Sequence, residues 1–170
     1  MSISPSSFIV QWLPLVRKHL GPTPELLDIA MGTGRNAREA CFNGFHIYGV
    51  DHDYNRIKQA KSGVLREAKL WVADLTLITL PRNRFDLIIC TNYLQRTIWP
   101  CLRASIRPGG FILYETFTRA QLQHRRGPKS PEHLLRPGEL REEFIDWKLI
   151  HDEERISPDA MACLVAQKPR

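Results

Sequence analysis

A chain of 170 residues, 43% apolar and 25% charged, can bury a core of its own and has no room for a second domain of ordinary size. No stretch approaches the ~18 consecutive apolar residues of a membrane helix, and Cys41, Cys90, Cys101 and Cys163 form no C-x-x-C pair, three of them inside apolar runs, so no membrane span is expected, and buried free thiols in a cytoplasmic protein are expected in place of a disulfide framework. The formal net charge of +6 suits an anionic partner, but it is scattered and decides little alone.

In chain order, Met1 to Phe8 is polar, with no charged start and no apolar run, so no signal peptide is expected. Phe8, Ile9, Trp12, Leu13, Val16 and Leu20 recur at helical spacing and predict an amphipathic helix that Gly21, Pro22 and Pro24 end. A strand over 25–30 leads through a glycine-rich turn into a helix over 35–43, closed by Gly44. Strands over 45–50 and 69–72 follow, separated by a helix over 54–65. A fourth strand over 85–91 precedes a helix over 95–106, and Arg107-Pro108-Gly109-Gly110 turns the chain into a fifth over 111–116. The stretch 118–136 has no clear period. Pro137 suits the first position of a helix carrying Leu140 and Phe144, and strands over 147–154 and 161–167 complete the chain as a hairpin. Short apolar strands alternating with helices predict a single-domain α/β fold over residues 1–170: a doubly wound, mostly parallel seven-stranded sheet with an antiparallel edge.

The chemistry-bearing signal is Leu27-Asp28-Ile29-Ala30-Met31-Gly32-Thr33-Gly34-Arg35-Asn36-Ala37, which leaves a strand and enters a helix. Gly32 and Gly34 permit a sharp turn and remove side chains where a ligand must touch backbone. Asp51 ends the second strand, where a carboxylate can accept both hydroxyls of an adenosine ribose. Ala73-Asp74-Leu75 follows the third, where a carboxylate and a backbone N–H can read the edge of adenine. All three lie outside the carboxyl ends of adjacent strands, where such sheets bind ligands. Gly32-x-Gly34-x-x-Ala37 also satisfies a dinucleotide fingerprint. Against that reading, Asp28 would repel a pyrophosphate, Asp74 offers a contact the dinucleotide pattern does not need, and no second mononucleotide half follows.

These segments, with Val50-Asp51, Phe85-Asp86-Leu87-Ile88 and Ile106-Arg107-Pro108-Gly109-Gly110, resemble the ordered motifs of class I S-adenosylmethionine-dependent methyltransferases. The Gly-Thr-Gly-Arg-Asn run and Pro137-Gly138-Glu139-Leu140 are similar to the tellurite-resistance (TehB-like) branch. The resemblance implies a Rossmann-like sheet, the cofactor S-adenosyl-L-methionine with product S-adenosyl-L-homocysteine, and a site at Asp28, Ala30, Gly32, Gly34, Arg35, Asn36, Asp51, His52, Asp74, Leu75, Thr91 and Asn92. Ala30 stands where the family usually has its first glycine. Asp28 would approach the methionine amine, Gly32 and Gly34 the methionine arm, Asp51 the ribose, and Asp74 with Leu75 the adenine. Thr91, Asn92 and Tyr93 would face the sulfonium and the acceptor.

Other assignments are plainer. Asp53 caps the helix after the second strand, and Asp86 is structural. Tyr114 and Trp99 belong to the core. The six histidines show no metal-ligand spacing, so no metal is expected. A soft or anionic nucleophile needs little help from a base; for a neutral oxygen or nitrogen acceptor, Glu115 and His124 are candidates, and Tyr93 completes the expected catalytic set. Residues 117–136 carry Arg119, His124, Arg125, Arg126, Lys129, His133 and Arg136 against one acid, Glu132, and are expected to be a basic lid over an acceptor. A monomer or homodimer acting on a small molecule away from membranes is expected. An RNA or other nucleic-acid methyltransferase is the alternative, and a non-catalytic cofactor-binding module is a third.

Overall fold

The computed structural model describes residues 4–170. The opening residues 1–3, which fall within the expected N-terminal segment 1–24, lie outside the described residues. Helix α1 is Ser7–Arg17, and β1 is Glu25–Ile29. Helix α2 (Arg35–Phe42) leads to β2 (His46–Asp51), and α3 (Tyr54–Ala60) to β3 (Lys69–Val72). Strand β4 is Phe85–Thr91, α4 is Trp99–Ser105, and β5 is Ile106–Phe117. Helix α5 (Glu139–Glu143) precedes β6 (Lys148–Arg155) and β7 (Met161–Gln167). The seven strands form one sheet in the order β3-β2-β1-β4-β5-β7-β6. Neighbours are parallel from β3 to β5, and β7 pairs antiparallel with both β5 and β6, as the strand pattern requires.

Period-two alternation divides the strand side chains between two cores. On one face, Leu26, Leu87, Ile89, Phe111 and Leu113 pack under Ile9 and Leu13 of α1, Ala37 and Ala40 of α2, and Ile57 of α3. On the other, Leu27, Ile29, Ile88, Ile112 and Tyr114 pack against Trp99 and Leu102 of α4 and Leu140 and Phe144 at α5. Central strands buried on both faces explain why β1 and β4 read as continuous apolar runs. At their amino ends, Asp86 accepts from the Glu25 N–H at 2.8 Å and pairs with Arg107 at 2.6 Å, the structural role expected of it.

Several expectations change in detail. The helix over 54–65 stops at Ala60 and resumes as a 3₁₀ turn, Gly63–Leu65; the one over 95–106 is a 3₁₀ turn, Arg96–Ile98, followed by α4. Strand β5 begins at Ile106, because Arg107 to Gly110 run on in the strand beside β4, with a register shift between Phe85 and Leu87. Pro137 is not the first residue of α5. Gly138, left-handed at φ 74°, occupies the N-cap, so the proline sits outside the helix it precedes. The stretch 118–136 is ordered by two 3₁₀ turns, Arg119–Gln123 and Pro131–His133. Its neck is closed by a bridge between Thr118 and Leu135.

Candidate functional site

The site begins with β1. Alternation turns Leu27 and Ile29 into one core and leaves Asp28 on the α2 face, buried under the turn at 1% exposure. Among the described residues only two buried side-chain polar atoms lack a hydrogen-bond partner, Trp12 Nε1 and Asp28 Oδ2. Burial pushes the Asp28 carboxyl up to about 8, while the Arg35 charge and the Ala37 amide act in the opposite direction. An orphaned buried carboxylate is expensive, and it marks a place where a cationic or hydrogen-bonding group of a ligand would be stabilised.

The turn above it holds Ala30 at φ 53°, Gly32 at φ 57° and Gly34 at φ 79°. A left-handed alanine carries roughly 1–2 kcal/mol of strain, here at the position where the resembling family has glycine. The two glycines differ. A side chain on Gly32 would meet nothing within 4 Å, so this residue faces open space. A Cβ on Gly34 would stand 2.8 Å from Leu65 and 3.1 Å from the Met31 methyl. The bareness of Gly34 therefore serves internal packing.

Asp51 ends β2 at 2% exposure. Its Oδ2 accepts from the Gly32 N–H at 2.8 Å and its Oδ1 from the Asp53 N–H at 3.0 Å, with His52 Nδ1 3.3 Å away. Asp53 caps α3 through the N–H groups of Asn55 and Arg56, as expected. Asp74 is exposed, and its Oδ1 accepts from both the N–H and the hydroxyl of Thr76 at 2.8 and 2.7 Å. These bonds hold its pKa below the ordinary carboxylate value. It is thus a turn former whatever else it contacts. An open cleft of about 590 Å³ brings His52, Asp74, Leu75 and Tyr93 together. Burial, reinforced by Cys90 and the carboxylates of Asp74 and Asp51, raises the Tyr93 hydroxyl to about 12. At neutral pH it is a hydrogen-bond donor.

Beyond β4, Thr91 Oγ1 accepts from Asn36 Nδ2 at 2.8 Å, and the Asn92 N–H, at φ 56°, donates to the Glu115 carbonyl at 2.8 Å. Glu115 is buried at 4%. Its Oε2 accepts from the Ser6 hydroxyl at 2.5 Å and its Oε1 from Arg155 Nη2 at 2.9 Å. Both oxygens are held, which is the setting of an anchored carboxylate rather than of a base awaiting a proton. His124 ends the first 3₁₀ turn of the loop, and its ring makes no hydrogen bond among the described residues. The loop is stapled from both sides. Arg96 donates to both oxygens of Glu139 and to the carbonyls of Glu132 and Leu134. Gln121, fully buried, accepts from the Ala160 N–H at 2.7 Å and donates to the Arg126 carbonyl at 2.9 Å.

Ser6, Arg96, Gln121 and Arg155 are the participants that reading the sequence misses. No local pattern marks them, since each is tied to a partner 39 to 109 positions away.

A family model described as a methyltransferase domain matches residues 26–110, half of the chain. No curated protein matches at the sequence level. Among solved structures, TehB from Haemophilus influenzae superposes with a TM-score of 0.78 at 18% identity, covering 96% of this chain and 62% of that one. This chain therefore spans less than two thirds of TehB's length. A TehB-like SAM-dependent methyltransferase from Corynebacterium glutamicum gives 0.69 at 17% identity, covering 95% and 87% of the two chains. An S-adenosylmethionine-dependent methyltransferase from Mesorhizobium loti gives 0.73 at 17%, covering 94% and 98%. At these identities the likeness is one of fold.

Proposed function

Because the chain belongs to the methyltransferase-domain family, we propose that it transfers a methyl group from S-adenosylmethionine to a small-molecule acceptor, with an anion or soft nucleophile as the preferred class. The observation that carries this reading is the orphaned, buried Asp28 Oδ2 on β1, with the bare, open Gly32 in the turn that follows the strand. A buried carboxylate with an unpartnered oxygen offers the acceptor an amino-acid ammonium group requires, and a backbone with no side chain above it leaves room for the chain that carries it.

The residues fit the cofactor. Asp28 would hold the amine, with Arg35 and Asn36 at the start of α2 bordering the methionine arm and Ala30 and Gly32 forming its floor. Gly34 supports that floor from within. Asp51, with His52 beside it, would take the ribose, and the cleft at Asp74, Leu75 and Tyr93 the adenine. When bound, S-adenosylmethionine supplies a methyl carbon already activated by a sulfonium. The protein's part is to orient the acceptor near Thr91, Asn92 and Tyr93 and to exclude water, and orientation alone contributes roughly 7–11 kcal/mol of barrier reduction. Tyr93, protonated at neutral pH, would donate a hydrogen bond to the acceptor. For an acceptor that must lose a proton, His124 is the base this reading retains. One domain would carry all these parts, flanked by the N-terminal segment and the loop 117–136.

The test is calorimetric titration with S-adenosylmethionine, S-adenosylhomocysteine and NAD⁺ in parallel. Micromolar binding of the first two and none of NAD⁺ is expected; binding of NAD⁺ alone would replace this reading with a dinucleotide site. One observation favours a second acceptor class. Arg119, Arg125 and Arg126 stand exposed on the loop and form no ion pair or side-chain hydrogen bond among the described residues, which would suit the phosphates of RNA. Binding to RNA that falls steeply with salt, accompanied by its methylation, would favour that class.

A further inference from the structure

We propose that Glu115 is a positioning residue: through Ser6 it holds the N-terminal strap, residues 4–6, against Asn36 at the wall of the cofactor site. The inference rests on the cofactor reading above. Ser6 occupies the N-cap position of α1, where a serine hydroxyl ordinarily accepts from the first helical N–H groups. Here the hydroxyl makes no capping bond. It donates instead to Glu115 Oε2 at 2.5 Å, and the Ser6 N–H donates to Asn36 Oδ1 at 2.9 Å. Asn36 in turn donates to Thr91 Oγ1 at 2.8 Å, and Arg35 Nη1 reaches the Ser4 carbonyl at 3.2 Å. A single chain of bonds thus runs from the end of β5, through the strap, to the start of α2 and the end of β4.

The far end of this chain is anchored. Glu115 sits opposite Cys163 of β7, and its second oxygen is neutralised by Arg155 at the end of β6. A carboxylate this buried is stable only when paired and hydrogen-bonded. The Arg155 pair therefore fixes the Glu115 side chain, and the Ser6 hydroxyl is the bond through which that fixity reaches the strap. A helix start that forgoes its own cap for a partner 109 positions away has its hydroxyl committed to tertiary closure.

The test uses S-adenosylhomocysteine as the calorimetric probe, together with amide hydrogen exchange over residues 4–9 of the ligand-free protein. Wild type is compared with Ser6→Ala, Glu115→Gln, the double variant, and Ser6→Thr. Each of the first two variants is expected to weaken the probe about five- to tenfold and to speed exchange in the strap. The double variant should be no worse than the weaker single, because both break one chain of bonds. Ser6→Thr, which keeps the hydroxyl, should restore affinity and protection. Should Glu115→Gln fail to fold with Arg155 unpaired, Ser6→Ala and Ser6→Thr decide alone. Unchanged affinity in Ser6→Ala, or losses that add in the double variant, would overturn the proposal. So would faster exchange without loss of affinity, since the strap would then be loose without consequence for the site. If wild type binds no probe, the cofactor reading fails. Unchanged exchange in Ser6→Ala would overturn the strap by itself.

Discussion

Replacing Asp28 with asparagine should stabilise the ligand-free protein, and more so as the pH rises. Below about pH 3.8 the carboxyl is protonated in the folded and unfolded chain alike and costs nothing. Its folded pKa is raised, from 3.8 to about 8. Over that window the unfolded chain ionises and the buried group resists, so stability present below the unfolded value is lost as the pH climbs. At about 1.36 kcal/mol per pH unit, the wild type has lost about 4 kcal/mol by pH 7. The substituted amide does not titrate, and the difference between the two proteins isolates this one group. In urea unfolding of ligand-free protein, the two midpoints should lie close near pH 4.5 and separate by roughly 2 M by pH 7.5, taking about 2 kcal/mol per molar for the slope. The same variant should lose most of its affinity for S-adenosylhomocysteine, because the ammonium no longer meets a carboxylate. Parallel pH profiles for the two proteins would refute the reasoning, since Asp28 would then be neither buried nor unpartnered in solution.

Asp51→Ala should weaken cofactor binding by about 1.5–3 kcal/mol, as for a lost charge-assisted hydrogen bond; unchanged affinity by calorimetry would remove the ribose assignment. The two turn glycines should separate by assay. Gly34→Ala, forced against Leu65 in a left-handed backbone, should cost about 2–4 kcal/mol in thermal or urea melts. Gly32→Ala should cost only about 1 kcal/mol there but obstruct the open face, so its larger effect should appear in the binding titration. Arg96→Met should destabilise by about 2 kcal/mol and speed hydrogen exchange across residues 131–136, because Glu139, at 5% exposure, loses its bidentate partner and keeps only Arg136. Since Arg96 holds the Glu139 pKa below its ordinary value, the contribution of that pair is present at neutral pH. It should fade on acidification through the carboxylate range, and wild type and variant should converge there.

Much of the candidate site is legible in the sequence. Asp28 declares itself because a charged residue inside the apolar run Leu26 to Ile29 needs a reason, and the glycines after it open the strand-to-helix turn. Asp53 could be assigned to a cap and Asp86 to structure from position alone, and both stand so in the structure. Gly32 and Gly34 look alike in sequence. Only Leu65 and Met31, brought beneath Gly34 by folding, give them different reasons for being bare. Glu115 reads as a candidate base because a polar residue at the end of a buried strand invites that role. The residues that occupy its oxygens, Ser6 and Arg155, lie on segments whose approach no local pattern signals.

The sequence by itself determined the order of elements, the parallel sheet and the glycine-bearing turn at the carboxyl end of β1. These follow from period-two and helical spacing and from turn residues, which act over a few positions along the chain. The tertiary structure decided which of the turn's backbone faces is open, that the loop 117–136 is stapled at its neck, and that the N-terminal strap is bonded to the end of β5. Such contacts depend on the distance between side chains in space, and a buried charge chooses its partner by proximity and geometry rather than by separation in sequence.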